Sequence, residues 1–397
     1  MSRPFSTAVI GGGAAGIMAA ISAKRIGKDC IILEKMPQLG KKILASGNGR
    51  CNLLNEKIDP SKYNPSSRPL VKSIFDRFNK KHIEDFFKSL GLETYPEADG
   101  RIFPVTNQSA SVLKILELEL RRLAIPVELN FCASNISDLK DGFTVTSKAG
   151  KNISCRNLVL AGGGKSYPAL GSDGSVCEMA QAFGHKVIKP VPAAVPIVMR
   201  DQVCHLLQGQ KIYAKTVAVI DGKVSCEASG DLLFTKYGLS GTSILDISEE
   251  ISIAINRNKK KDVVVSVDLV PFMDENKLTG ELTKRLASGW HHADLLTGIL
   301  PNKFASAFKE VLATRNAKDV ALAIKKRRFG VVETKGWNEA EFTAGGIDTS
   351  QVKETTLGSN IKKGLYFAGE VLDVTGHRGG YNLAWAWASG HVAGLAG

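Results

Sequence analysis

The stretch TAVIGGGAAGIMAAISAKRIGKDCIILEK, residues 7–35, constrains the fold more than any other part of the chain. Thr7 to Ile10 reads as a short apolar strand. Ala14 to Ile26 reads as an Ala-rich helix closed by Gly27, and Cys30 to Leu33 as a second strand. Gly11, Gly13 and Gly16 fit G-x-G-x-x-G between strand and helix, and Glu34 stands 18 residues beyond Gly16. Each position has a physical task in binding a dinucleotide. Gly11 turns the chain, Gly13 clears the way for a pyrophosphate, and Gly16 lets the helix lie close to the sheet. The helix start, with Ala14 and Ala15, offers free N–H groups and a partial positive charge. Glu34, followed by Lys35, is placed to accept hydrogen bonds from a ribose, which favours FAD or NAD over NADP.

The next segment separates those two cofactors. GKKILASGNGRCNLLN (40–55) interrupts the strand–helix alternation that an NAD domain would continue. Lys42 and Arg50 supply charge there, as does Lys41. Ser46, Gly47, Gly49, Cys51 and Asn52 supply backbone and polar groups. A flavin is longer than the nicotinamide half and needs such a second cradle. The opposite terminus repeats the logic. Leu365 to Ala368 reads as a buried strand ending at Gly369-Glu370. The turn His377-Arg378-Gly379-Gly380 then opens a helix through Tyr381, Asn382 and Leu383. A helix N-terminus aimed at a flavin ring would stabilise negative charge on it. Midway, Leu158 to Leu160 leads into Ala161-Gly162-Gly163, followed by a helix from Ser175 to Phe183. Pro168 replaces the third glycine of a fingerprint there, so no second dinucleotide site is written.

These pieces, with GDLLFTKYGLSGTSILDIS and AEFTAGGID, resemble the HI0933-like (YhiN/BaiN-type, aminoacetone-oxidase-like) FAD-binding flavoproteins over essentially the whole chain. The resemblance implies an α/β, Rossmann-like FAD-binding domain of the two-dinucleotide-binding type, split by an inserted β-rich domain and a helical subdomain. The implied parts are 1–190 and 336–397 for the FAD domain, 191–273 for the β-rich substrate domain and 274–335 for the helical piece. Ala133 joins the implied FAD contacts. Independently, KTVAVIDGKVSCEASGDLLFTKYG reads as a hairpin turning at DGK. A cavity between insert and FAD domain is the expected place for a small-molecule substrate.

Composition excludes several other classes. No run of about 18 to 20 apolar residues is long enough to cross a bilayer. MSRPFSTAVIGGG has no secretory pattern, so the cytoplasm is the expected compartment and no membrane partner is expected. Seven scattered Cys without C-x-x-C, and an adjacent His291-His292 pair, give no metal site. The net charge of +13 raises nucleic acid as a partner. The runs NRNKKK (256–261) and KKRR (325–328) lack interleaved aromatics, which weighs against it.

The expected activity is FAD-dependent hydride transfer. It is either reduction of an activated double bond, with NAD(P)H as a transient donor, or oxidation of an amine. His377, Arg378, Arg50 and Tyr381 are the candidate catalytic residues, with His377 as acid and Arg378 as carboxylate clamp. A flavin-dependent tRNA-modifying or RNA-binding protein and a non-catalytic flavin protein are the alternatives.

Overall fold

The computed structural model describes residues 3–397. The chain divides into two compact units, Met1–Pro190 with Phe342–Gly397, and Val191–Glu341. The first unit is built on a sheet whose central strands are parallel. Strand β1 (Phe5–Ile10) lies between β2 (Cys30–Leu33) and Asn152–Leu160. Leu365–Phe367, from the far end of the chain, pairs in parallel with the second half of Asn152–Leu160. Thr7–Ile10 and β2 are buried throughout, as strands covered on both faces must be.

Helix α1 spans Ala14–Arg25, ending one residue before the expected Ile26 because Ile26 and Gly27 already turn away. It packs against the C-terminal helix, Tyr381–Ala396. Two glycines one turn apart permit the close approach. A Cβ on Gly390 would run into the Ala15 carbonyl, and one on Gly394 into the Ala19 carbonyl. The segment 40–55 is more regular than its composition suggests. It forms a helix over Lys41–Ala45, a tight turn over Ser46–Gly49 and a short strand at Leu54–Asn55. That strand pairs with Arg101–Pro104, which pairs in turn with Thr94–Pro96.

The second unit is a closed six-stranded barrel with helices. Its longest pairing is the hairpin Lys211–Ile220 with Lys223–Thr235. Asp221 and Gly222, at φ +49° and +77°, form the two-residue turn that the DG pair specifies. Ala214, Thr216 and Ala218 alternate inward with Leu232, Phe234, Val265 and Val267. The segment expected as a helical piece over 274–335 contains helices at Glu275–Ala287 and Ala317–Lys325, but ends in a barrel strand, Arg327–Thr334. That strand buries only Phe329, so its alternation is weak in the sequence.

His391 gives the first unit a pH dependence. Its ring stacks on Phe78 at 3.9 Å, its Nδ1 lies 2.9 Å from Ser22 Oγ, and burial, with His82 and Arg25 nearby, pushes its pKa down from 6.5 to about 4. The unfolded chain therefore binds the extra proton between those values. Stability is complete above pH ~6.5 and falls as the pH drops toward 4, by about 2–3 kcal/mol after discounting partial solvent contact. Urea midpoints at pH 7.5 and 4.5 measure this loss, and His391→Leu is expected to shrink it.

Candidate cofactor site

The ends of three parallel strands converge on the N-terminus of α1. Gly11 (φ +107°) donates its N–H to Leu33 O at 2.9 Å, and a Cβ there would meet Ala161 O at 2.5 Å. Gly16 lies against the Gly11 carbonyl with no room for a side chain, and a Cβ on Gly369 would meet Ala15 at 2.8 Å. Gly13 differs. It has φ −86°, and a Cβ there would meet nothing within 4 Å. The helix it opens has no side-chain cap and no acid in its first turn. An uncapped helix start facing open space is what an anionic pyrophosphate requires. Ala14 and Ala15 sit in that first turn.

Glu34 is almost buried and already engaged. Its carboxylate accepts from Gly12 N at 2.6 Å and from Met36 N at 2.8 Å, which fixes it beside the fingerprint. Phe131 N donates to Glu34 O at 2.8 Å, which brings the start of Ala133–Leu139 to this end of the sheet. Lys35 pairs with Asp173 at 2.7 Å. Burial opposes ionisation of Asp173, yet hydrogen bonds from Lys35 and Ser175 hold its pKa down at about 2.

Lys42 and Glu370 meet from opposite ends of the chain at 2.6 Å. Glu370 also accepts from Thr343 N at 2.7 Å, Ser166 Oγ at 3.1 Å and Gly164 N at 3.3 Å. Lys42 adds a bond to Ser166 Oγ at 2.9 Å. One carboxylate thus ties together the helix Lys41–Ala45, the loop after Gly163 (φ +78°) and the strand Phe342–Ile347. Ser166 and Thr343 were not singled out from the sequence. Their motifs were visible, but nothing local shows that they share Glu370. Gly162 packs against Val176.

The loop 46–52 is pinned from within. Ser46 Oγ donates to Ile43 O at 2.7 Å, and Cys51 N donates to Ser46 O at 3.0 Å. Cys51 is fully buried, and burial pushes its thiol up to about 12, so the side chain serves packing and only its backbone can face a cofactor. Gly47 has φ +57°, while Gly49, like Gly13, opens on free space. Arg50 points its guanidinium to Asn107 Oδ1 at 2.9 Å, Tyr95 OH at 2.9 Å and Glu97 Oε1 at 2.6 Å, over the Phe103 ring at 3.9 Å.

The turn before the C-terminal helix sits against Leu54 and Asn55. Asn55 Nδ2 donates to Gly379 O at 2.9 Å. With its amide oriented to satisfy both partners, Asn52 donates to Leu54 O at 3.1 Å and accepts from Gly380 N at 3.0 Å. Asn382 exchanges two 2.8 Å bonds with the backbone of Gly376, and Leu383 packs on the core. His377 is exposed, and its ring lies 6.5 Å from that of Tyr381. Tyr381 is nearly buried. Burial raises its phenol pKa, so it is protonated at neutral pH. Arg378 is half-buried in the same turn. Arg101 is a cation that no motif flagged. It approaches Gly379 and pairs with Glu97 at 3.0 Å, the carboxylate that also holds Arg50.

Among the described residues no group of three or more His, Cys, Asp or Glu side chains could hold a metal, and no helix is long and apolar enough to cross a membrane. A family model, the HI0933-like protein Rossmann domain, matches residues 5–396. The chain is 36% identical, over 98% of its length and 98% of the relative's, to a 3-dehydro-bile acid delta(4,6)-reductase of Clostridium scindens. It is 30% identical, over 100% of its length and 99% of the relative's, to a ribosomal RNA dihydrouridine synthase of Haemophilus influenzae. Among solved structures it resembles a 3-ketosteroid delta1-dehydrogenase from Sterolibacterium denitrificans, with a TM-score of 0.53, 12% identity and 99% coverage of each chain. The architecture is the Rossmann type that binds FAD, as the sequence led one to expect.

Proposed function

The chain belongs to the HI0933-like protein family, a family of FAD-binding oxidoreductases, and from that premise we propose that it is a reductase. It adds hydride, and then a proton, across a carbon–carbon double bond conjugated with a carbonyl. One observation carries this reading. Relatives of such different names share a single bond change. The name of the C. scindens protein places double bonds in conjugation with a 3-ketone. Dihydrouridine, in the other name, is uridine with its ring double bond, conjugated to a carbonyl, saturated.

FAD bound at this site supplies the two-electron carrier between NAD(P)H and the substrate. The residues present fit it. The open, uncapped start of α1 at Gly13–Ala15 takes the pyrophosphate, and Glu34 takes the ribose hydroxyls. Gly49, where a Cβ would meet nothing within 4 Å, leaves room for the rest. Hydride addition at the far carbon of the double bond places negative charge on the carbonyl oxygen. Arg378, with Arg101 and Arg50 anchored on Glu97, provides cations to stabilise it. Tyr381, kept protonated by burial, or His377 in contact with solvent, delivers the proton to the near carbon.

The test is anaerobic stopped-flow absorbance of the flavin-loaded protein. NADH or NADPH is expected to bleach the flavin bands, and a conjugated enone such as 2-cyclohexenone is expected to restore them. Flavin that stays oxidised with both nucleotides, but bleaches with aminoacetone, would sink the reductase and favour amine oxidation.

A further inference from the structure

The segment 59–67, DPSKYNPSS, runs along the turn that opens the C-terminal helix. It is stiff by construction. Asp59 accepts from Ser61 N at 2.7 Å, and two short 3-10 turns, Pro60–Lys62 and Pro65–Ser67, each begin with a proline. Proline fixes its own φ and restricts the residue before it. Tyr63, which is buried, and Asn64 lie between the two turns.

Hydrogen bonds carry this rigidity across to residues 373–381. Asn64 N donates to Thr375 O at 2.9 Å, and Asn64 Nδ2 to Asp373 O at 3.1 Å. Asn64 Oδ1 accepts from Thr375 N at 2.8 Å, and Lys62 O accepts from His377 N at 2.9 Å. Tyr63 OH donates to Tyr381 O at 2.9 Å, and the two rings meet edge-on at 6.0 Å. A Cβ on Gly376 would strike both side chains, Tyr381 at 2.7 Å and Tyr63 at 2.9 Å. The turn has little stiffness of its own, because Gly379 and Gly380 stand at φ +116° and +100°. What aims Tyr381 is therefore the segment beside it. The Tyr381 hydroxyl makes no hydrogen bond among the described residues, so its proton is uncommitted. His377, by contrast, is taken by this segment only at its backbone N–H.

We propose that Tyr381 delivers the proton in the reduction, and that Tyr63 and Asn64 are positioning residues that aim it at one face of the substrate. The inference rests on the reductase reading given above. The far carbon gains the hydride that NAD(P)H supplies through the flavin, and the electron pair of the double bond moves onto the carbonyl as an enolate. The Tyr381 O–H bond then breaks. Its proton forms the new C–H bond at the near carbon, and solvent returns a proton to the phenolate. A donor held at one spot protonates one face, whereas water protonates both.

The experiment is NAD(P)H-driven reduction of 2-methyl-2-cyclohexenone by the flavin-loaded protein, read as a rate and as the enantiomer ratio of the 2-methylcyclohexanone formed. The near carbon becomes the stereocentre, so the ratio reports the direction of the proton and not the stability of the fold. Wild type is expected to give one enantiomer in large excess. Tyr381→Phe is expected to slow the reaction about 100-fold and to give a nearly racemic product. Tyr63→Phe removes one hydroxyl. It is expected to slow the enone-dependent step about tenfold and to erode the excess. Bleaching of its flavin by NAD(P)H alone, which needs no proton from Tyr381, should keep the wild-type rate. The double variant should be no slower than Tyr381→Phe, because both changes remove the same aimed proton. If Tyr63→Phe does not hold flavin, Asn64→Ala is read by the same two measures. A wild-type ratio in Tyr63→Phe, or in Asn64→Ala where that variant stands in, overturns the positioning role. An undiminished excess in Tyr381→Phe, or a racemic product from active wild type, overturns the donor and leaves the reductase standing. Wild type that reduces no enone overturns the reductase reading, and this inference with it.

Discussion

Gly13→Val is expected to give a folded chain that has lost its flavin. The three fingerprint glycines serve different ends, and the structure separates them. Gly16 touches the Gly11 carbonyl, so any side chain there must displace the sheet or the helix. Gly11 stands at φ +107° against Ala161 O, where a side chain is both strained and crowded. Gly13 has an ordinary extended backbone, and its missing Cβ faces empty space. A valine there costs the fold little but fills the approach to the helix N-terminus. An affinity loss of about 100-fold or more, or about 2.7 kcal/mol, is expected on the general scale of a lost anion site. Circular dichroism and thermal unfolding of the apoprotein should match wild type, while absorbance near 450 nm should be absent after reconstitution. Gly16→Ala should show the opposite order, with stability lost first. A yellow Gly13→Val protein would mean that the pyrophosphate does not lie on α1.

Trp387→Ala is expected to cost about 3–5 kcal/mol and to loosen the second cradle at the same time. The indole is fully buried, meets Phe87 edge-on at 5.1 Å, and donates from Nε1 to Leu53 O at 3.1 Å. Its loss leaves a large cavity and an unsatisfied carbonyl next to Asn52 and Leu54, which hold Gly380. Trp387→Phe keeps most of the packing but not the donor, so about 1–3 kcal/mol is expected. Urea unfolding of both variants measures the two parts. If the alanine variant loses stability but keeps wild-type flavin affinity, the loop 46–55 does not depend on the C-terminal helix for its shape.

Much of the fold was legible because its signals are local. The fingerprint glycines, the Cys30–Leu33 strand and the DG turn each act within a few residues of where they are written. The centre of the site was not legible in this way. Glu370 joins Lys42, Ser166 and Thr343, four residues drawn from four separate segments. Arg101 looked like any charged residue at a strand start, and only pairing with Leu54–Asn55 brings it to Gly379. Arg50, expected near the cofactor, has Glu97 and Tyr95 as partners for the same reason. The closing barrel strand was missed because seven of its eight residues point partly or fully to solvent with no apolar alternation to betray it.

The close fit of Gly390 and Gly394 against α1 bears on the order in which the molecule can be made. The first-emerging helix of the chain cannot be covered on that face until the last sixteen-residue helix has left the ribosome. The barrel unit, contiguous in sequence, has all its strands by Thr334 and can close earlier. Nascent chains would therefore carry a finished insert on an unfinished frame, with the nucleotide cradle half built. Flavin capture then becomes the closing event of biogenesis, and cells short of riboflavin should accumulate a species whose barrel resists protease while its two ends are cut.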